Sequence, residues 1–135
     1  MSLFRVFDIS GSALHAQTVR LNTTASNMAN ADSISSSTAN TYRARQPIFA
    51  AQLDDAENAA AGVNVLSIVE SQTPLRREYR PDHPLADKNG YVNLPNVNPV
   101  EEMANMISAS RSYQSNVEVL NTSKQMLMRT LALGE

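Results

Sequence analysis

Residues 3–30 read LFRVFDISGSALHAQTVRLNTTASNMAN, and this stretch decides the fold. Phe7, Leu14, Leu21 and Met28 recur every seven residues, and the small residues Gly11, Thr18 and Ala25 follow the first three at four positions' distance. Apolar residues at that spacing form a narrow stripe along one side of an α-helix, the geometry that seats against another helix. Residues 99–133 repeat the theme with Val100, Met103, Ile107, Tyr113, Val117, Leu120, Leu127 and Leu131. The two stripes predict a mainly α chain. Its long N- and C-terminal helices pair as an elongated, coiled-coil-like hairpin, with a small irregular or β middle segment. Hydrophobic residues committed to a seam between helices do not enclose a pocket.

Length and composition point the same way. At 135 residues the chain is one domain's worth, and with 5% aromatics and no Trp it has few large side chains for a thick core. A compact globule of this length would measure about 37 Å across. The terminal helices would run about 42 Å and about 52 Å at 1.5 Å per residue. An elongated molecule is therefore expected, with its stripe exposed unless neighbours cover it.

The net charge of −2 supplies no basic face of the kind that nucleic acid requires. Zero cysteine excludes disulfides, thiolate catalysis and most structural zinc sites. No segment reaches the roughly 18 uninterrupted apolar residues of a spanning helix. The opening MSLFRVFDI carries Asp8 where a secretory signal would be apolar, and its amphipathic pattern continues to residue 30. Export, if it occurs, is expected by a route that leaves this N-terminus in place.

Three segments follow from the pattern. Residues 1–32 form the N-terminal helix, 33–98 a loop, short strands and a proline-rich extended arm, and 99–135 the C-terminal helix. Ser33 to Thr38 is polar and serine-rich, and reads as a mobile loop. Thr41 to Ala50 partly alternates and reads as a short strand held to an edge by Pro47. Asp54 to Gly62 is alanine-rich and reads as a brief helical turn or a flexible connection, and Val63 to Val69 as a second strand. Pro74, Pro81, Pro84 and Pro95, with Asn89-Gly90, predict extended arms and turns from Gln72 onward. Pro99 suits a first helical turn, Asn98 an N-cap, and Glu101 and Glu102 the positive end of the helix dipole. Lys124 and Arg129 near the far end, followed by Gly134, mark the stop.

Candidate chemistry is sparse. His15 lies in the first helix and His83 in the proline-rich arm, with no reason to meet, and Asp82 beside His83 has no nucleophile nearby. Asp87-Lys88-Asn89-Gly90 lacks the carboxylate spacing of a calcium loop and reads as a plain turn. Asn22-Thr23-Thr24 and Asn121-Thr122-Ser123 match a glycosylation sequon but fall inside helices. Arg76, Arg77 and Arg80 are offset by Glu78 and Asp82, and the Met103/Met106 and Met126/Met128 pairs read as seam residues. The expectation is no catalytic residue, no cofactor site and no metal site. What remains is an assembly interface on the stripes: Phe7, Leu14, Leu21 and Met28 with Met103, Ile107, Tyr113, Val117, Leu120, Leu127 and Leu131.

Several motifs bring a family into view. Ser26-Asn27-Met28-Ala29-Asn30-Ala31-Asp32 resembles the Asn-rich motif that closes the N-terminal helix of bacterial flagellar axial proteins, the rod and hook family. Tyr42-Arg43-Ala44-Arg45-Gln46 resembles the aromatic-basic strand that follows it there. His83 to Asp87, Asn89 to Val92 and Pro95 to Asn98, with the run from Met106 to Thr122, are similar to the proximal rod members. The similarity covers nearly the whole chain, with residues 33–40 outside it.

The resemblance implies a structural subunit of the flagellar basal-body rod, the hollow helical drive shaft that crosses the periplasm. It also implies type III export without cleavage. Its implied partners are copies of itself, the rod proteins FlgB, FlgF and FlgG, and the base protein FliE. The terminal helices would line the inner wall. On the residues alone, a soluble helical adaptor or export chaperone, binding one partner through its stripe, stays open.

Overall fold

The computed structural model describes residues 3–54 and 59–132. Helix α1 spans Leu3–Asn30 and helix α2 spans Pro99–Ala132. Between them lie two antiparallel hairpins. Strand β1 (Arg45–Asp54) pairs with β2 (Ala59–Glu70), and β3 (Arg76–Tyr79) pairs with β4 (Tyr91–Leu94). Among the described residues, each sheet has two strands. The chain is mainly α with a small β middle, and α1 lies against α2, β1 and β2.

The start of α2 follows directly from local chemistry. The Asn98 side-chain oxygen accepts from the Val100 N–H at 3.1 Å, and the Asn98 carbonyl accepts from the Glu102 N–H at 3.0 Å. Pro99 occupies the position whose N–H would have no helical partner. Arg129 sits in the last turn, favourable beside the negative end of the dipole. Gly134, expected to stop the helix, lies outside the described residues.

The middle segment is more regular than its prolines suggested. The expected arm from Gln72 is a hairpin, because its prolines fall outside both strands and Gly90 takes φ +81° at the turn. The first strand runs later than the expected 41–50, and Pro47 is accommodated opposite Ile68 because every strand of a two-stranded sheet is an edge. Ala59 to Gly62 belong to β2 rather than to a helical turn, while residues 55–58 lie outside the described residues. The serine-rich loop is tied down locally. The Ser35 N–H donates to the Asn93 carbonyl at 3.2 Å, and the Thr41 hydroxyl donates to the Ser37 carbonyl at 2.8 Å.

The core is thin. Among the described residues the buried apolar side chains are Ala16, Ala31, Ala44, Val92, Leu94, Val97 and Ala109, four of them alanine, with Pro95 fully buried beside them in sequence. The accessible surface is 9140 Å², against about 6,900 Å² for a compact monomer of this mass. The molecule is extended, as the helix lengths anticipated.

Candidate assembly surface

The seam between α1 and α2 is built from small and polar residues. On α2 the buried positions are Glu102, Ala109 and Ser123, and Thr24 and Asn27 of α1 lie beside Glu102. Arg20 crosses to Asn105 with a 3.2 Å hydrogen bond. Small side chains let the helix axes approach closely. The Gln17 side-chain oxygen is buried without a hydrogen-bond partner. Such an orphaned acceptor costs about 1–3 kcal/mol.

The large apolar residues of α2 fan out from that seam. At 100° per residue, Leu120 and Leu127 lie within about 30° of the Glu102–Ala109–Ser123 line, Tyr113 and Leu131 about 50° from it, and Val117, Met103 and Ile107 about 90°, 130° and 170° from it. Ile107 is 55% exposed and Leu131 62%, Met103 and Tyr113 are also exposed, and Val117, Leu120 and Leu127 are half-buried. Phe7, Leu14, Leu21 and Met28 are half-buried on α1. Val100 and Phe4 lie open to solvent as well. The Arg20–Asn105 hydrogen bond between the two helices runs through residues the spacing did not single out.

A polar knot fixes the helices to the β segment. Asn27 is fully buried, and its side chain acts as a short piece of strand. Its amide nitrogen donates to the Arg45 carbonyl at 2.8 Å, and its oxygen accepts from the Arg45 N–H and the Tyr42 hydroxyl, both at 2.9 Å. The Glu102 carboxylate lies beside Asn27 and Thr24. Its burial raises its pKa above the ordinary glutamate value, against the lowering effect of those two side chains. Asn96 does similar work one layer away. Its oxygen accepts from the Ala44 N–H at 2.8 Å and its nitrogen donates to the Thr73 carbonyl at 2.9 Å. Two asparagines within one helical turn, Asn27 and Asn30, disfavour a helix unless tertiary bonds use them, and that was the signal available in the sequence.

A second anchor lies farther up α1. The Ser12 hydroxyl donates to the Ile9 carbonyl at 2.8 Å and accepts from the Val63 N–H at 3.0 Å. A Cβ on Gly62 would come within 2.6 Å of the Ser12 hydroxyl oxygen, so only glycine allows β2 this close.

The other candidates resolve into structure. Asp87 closes the β3–β4 turn, accepting from the Asn89 and Tyr91 N–H groups at 2.8 and 2.9 Å and pairing with Arg77 at 2.8 Å. The Tyr91 backbone bond is the largest of the causes that lower its pKa. Arg80 pairs with Glu78 at 3.0 Å and Arg76 approaches Asp32 at 3.8 Å, so the basic cluster is neutralised by its own neighbours. The His83 ring nitrogen Nδ1 accepts from the Leu85 N–H at 3.1 Å. Among the described residues no group of three or more His, Cys, Asp or Glu side chains is placed to hold a metal. Among them too, no helix is long and apolar enough to cross a membrane.

Known proteins match this sequence from end to end. Residues 7–33 match the family model described as flagella basal body rod protein, and residues 88–133 the model described as flagellar basal body rod FlgEFG protein C-terminal. The flagellar basal-body rod protein FlgC of Salmonella typhimurium is 55% identical over 136 residues, covering all of both chains. The chain belongs to the FlgC family. FlgC proteins of Escherichia coli and Yersinia enterocolitica are 54% and 51% identical, again over the full length of each chain. The two matched segments hold α1 and α2, the pair that carries the stripes, and much of the β segment lies between them. FlgC relatives bear the name of rod proteins, and the resemblance drawn from the Asn-rich and C-terminal motifs is correct at the level of the family.

Proposed function

We propose that this chain is a structural subunit of the flagellar basal-body proximal rod. It self-assembles with other rod proteins into a hollow helical shaft that transmits torque, and it has no catalytic role. The observation that carries the reading is the row of large apolar side chains left open beside a polar helix seam. A monomer would gain by burying them, at about 25 cal/mol per Å², and this fold spends them instead on the outside of α2. The name shared by full-length relatives supports the reading.

In this reading α1 and α2 form a coiled-coil-like pair in the inner wall, and Phe7, Leu14, Leu21, Met28, Met103, Ile107, Tyr113, Val117, Leu120, Leu127 and Leu131 meet neighbouring subunits. Those neighbours are copies of the chain, the rod proteins FlgB, FlgF and FlgG, and the base protein FliE, in the part of the rod that crosses the periplasm. The test is incorporation. Leu21→Asp and Leu120→Asp each place a charge in the stripe and are expected to remove the chain from purified basal bodies and abolish motility. Normal motility in both variants would overturn the reading.

A further inference from the structure

Asn89 is the one asparagine of this chain that a glycine follows. The backbone nitrogen of the next residue can attack an asparagine side-chain amide, and glycine hinders that ring closure least because it has no Cβ. Asn89 is exposed at the β3–β4 turn, and among the described residues none hydrogen-bonds its side chain.

The fold governs the attacking nitrogen instead. The Gly90 N–H donates to the Asp87 carbonyl at 2.9 Å, and the Gly90 carbonyl accepts from the Arg80 N–H at 2.8 Å. Asp87 Oδ1 accepts from the Asn89 N–H at 2.8 Å and from the Tyr91 N–H at 2.9 Å. The Asp87 N–H donates to the Tyr91 carbonyl at 2.8 Å, and Arg77 steadies the carboxylate at 2.8 Å. The peptide unit between Asn89 and Gly90 is therefore held on both sides. Its nitrogen must leave Asp87 before it can turn onto the Asn89 side chain. Turns open locally more readily than core strands, and the opening of this one sets the rate.

We propose that Asn89 is a modification site, deamidating spontaneously to aspartate and isoaspartate, latched in the folded hairpin by the Asp87 clasp and released when the hairpin opens. The Gly90 nitrogen gives its proton to solvent base and bonds to Asn89 Cγ. The side-chain nitrogen takes up a proton and leaves as ammonia. One water then splits the five-membered succinimide at either carbonyl. Breaking the Cγ–N bond gives aspartate on an unchanged backbone. Breaking the bond between the Asn89 backbone carbonyl and the Gly90 nitrogen gives isoaspartate, whose main chain runs through Cβ and Cγ. Either product sets a second carboxylate beside Asp87. Isoaspartate also lengthens the turn by a methylene between the two N–H groups that Asp87 holds, so the clasp cannot re-form as it was. Chains that linger unfolded carry the mark, and chains that fold promptly do not.

The test compares rates on the full-length protein at mildly alkaline pH, in native buffer and in guanidinium chloride. Peptic digests made at low pH are read by mass spectrometry for loss of ammonia and gain of water at each asparagine, and isoaspartate is counted with isoaspartyl methyltransferase. In denaturant, Asn89 is expected to convert faster than every other asparagine and at least tenfold faster than in native buffer. Asp87→Ala in native buffer is expected to convert at least threefold faster than the unmodified chain, and a failure of that variant to fold would only raise its rate further. Asn89→Gln is expected to remove the signal. Equal rates at Asn89 with and without denaturant would overturn the latch, as would an Asp87→Ala rate equal to that of the unmodified chain. Another asparagine reacting first in denaturant would overturn the site.

Discussion

The two hairpins of this chain solve the same problem in opposite ways. The β3–β4 hairpin is four residues per strand, buries Val92 and Leu94 in the core, and carries side-chain clasps of its own. Arg77 pairs with Asp87 and stacks over Tyr91 at 4.9 Å, Tyr79 meets Tyr91 edge-on at 5.3 Å, and Asp87 ties the turn. The β1–β2 hairpin is more than twice as long, has almost no side-chain clasp of its own, and leans on α1 through Ser12 and Asn27. A two-stranded ribbon is marginal alone in water. One hairpin offsets that with local charge and aromatic contacts, and the other is held by the body of the protein. The difference teaches that only the second ties its strands to the helices, so damage to its anchors should spread while damage to the first should stay local.

The largest effect is expected at Asn27. Asn27→Leu keeps the volume but leaves the Arg45 N–H and carbonyl without their partner and the Tyr42 hydroxyl with Ser26 alone, at a cost of about 3 kcal/mol. Urea unfolding followed by circular dichroism should show the loss, and amide exchange should rise along β1 and at the start of α2 together. Exchange confined to one residue of β1 would break the comparison. Next come the two glycines. Gly62→Ala forces Ser12 to give up its bonds to Ile9 and Val63, at about 2 kcal/mol. Gly90→Ala must hold φ +81° and crowd Tyr79, at about 1 kcal/mol. Amide exchange should spread across β1–β2 for the first and remain at the β3–β4 turn for the second.

The smallest effect expected is in pH dependence, and its sign separates the regions. Asp87 has a lowered pKa, so its contribution is present above the ordinary value of 3.8 and is lost as pH falls through the lowered one. Glu102 has a raised pKa, so its folded state is favoured below the ordinary value of 4.5 and that advantage is lost as pH rises through the raised one. Acidification from pH 7 to pH 3 should therefore loosen the β3–β4 turn while the Glu102 contact to α1 holds. Glu102→Gln should remove the second dependence and leave the first, as read by per-residue exchange. A common response of both regions would show that they are not independent.

Much of the fold was legible because the long helices announce themselves by spacing and their ends by capping. Asn98 and Pro99 set the start of α2 where local chemistry puts it. The β3–β4 hairpin was harder, since its prolines read as breaks and only the tertiary placement of strands between them makes a ladder. The stripe residues were legible as apolar surface. The polar seam of Thr24, Asn27, Glu102 and Ser123 was not, because small and polar residues carry no periodic signal until a partner helix satisfies them. Ser12 and Gly62 lie fifty residues apart, and no local rule couples them.

The two-point attachment of the long hairpin has a mechanical consequence. Ser12 and Asn27 stand about 22 Å apart along α1, at 1.5 Å per residue. A strap pinned once can swivel, whereas a strap pinned at both ends must turn with the bar that carries it. Any twisting load that reaches this helix is handed to the hairpin without slack.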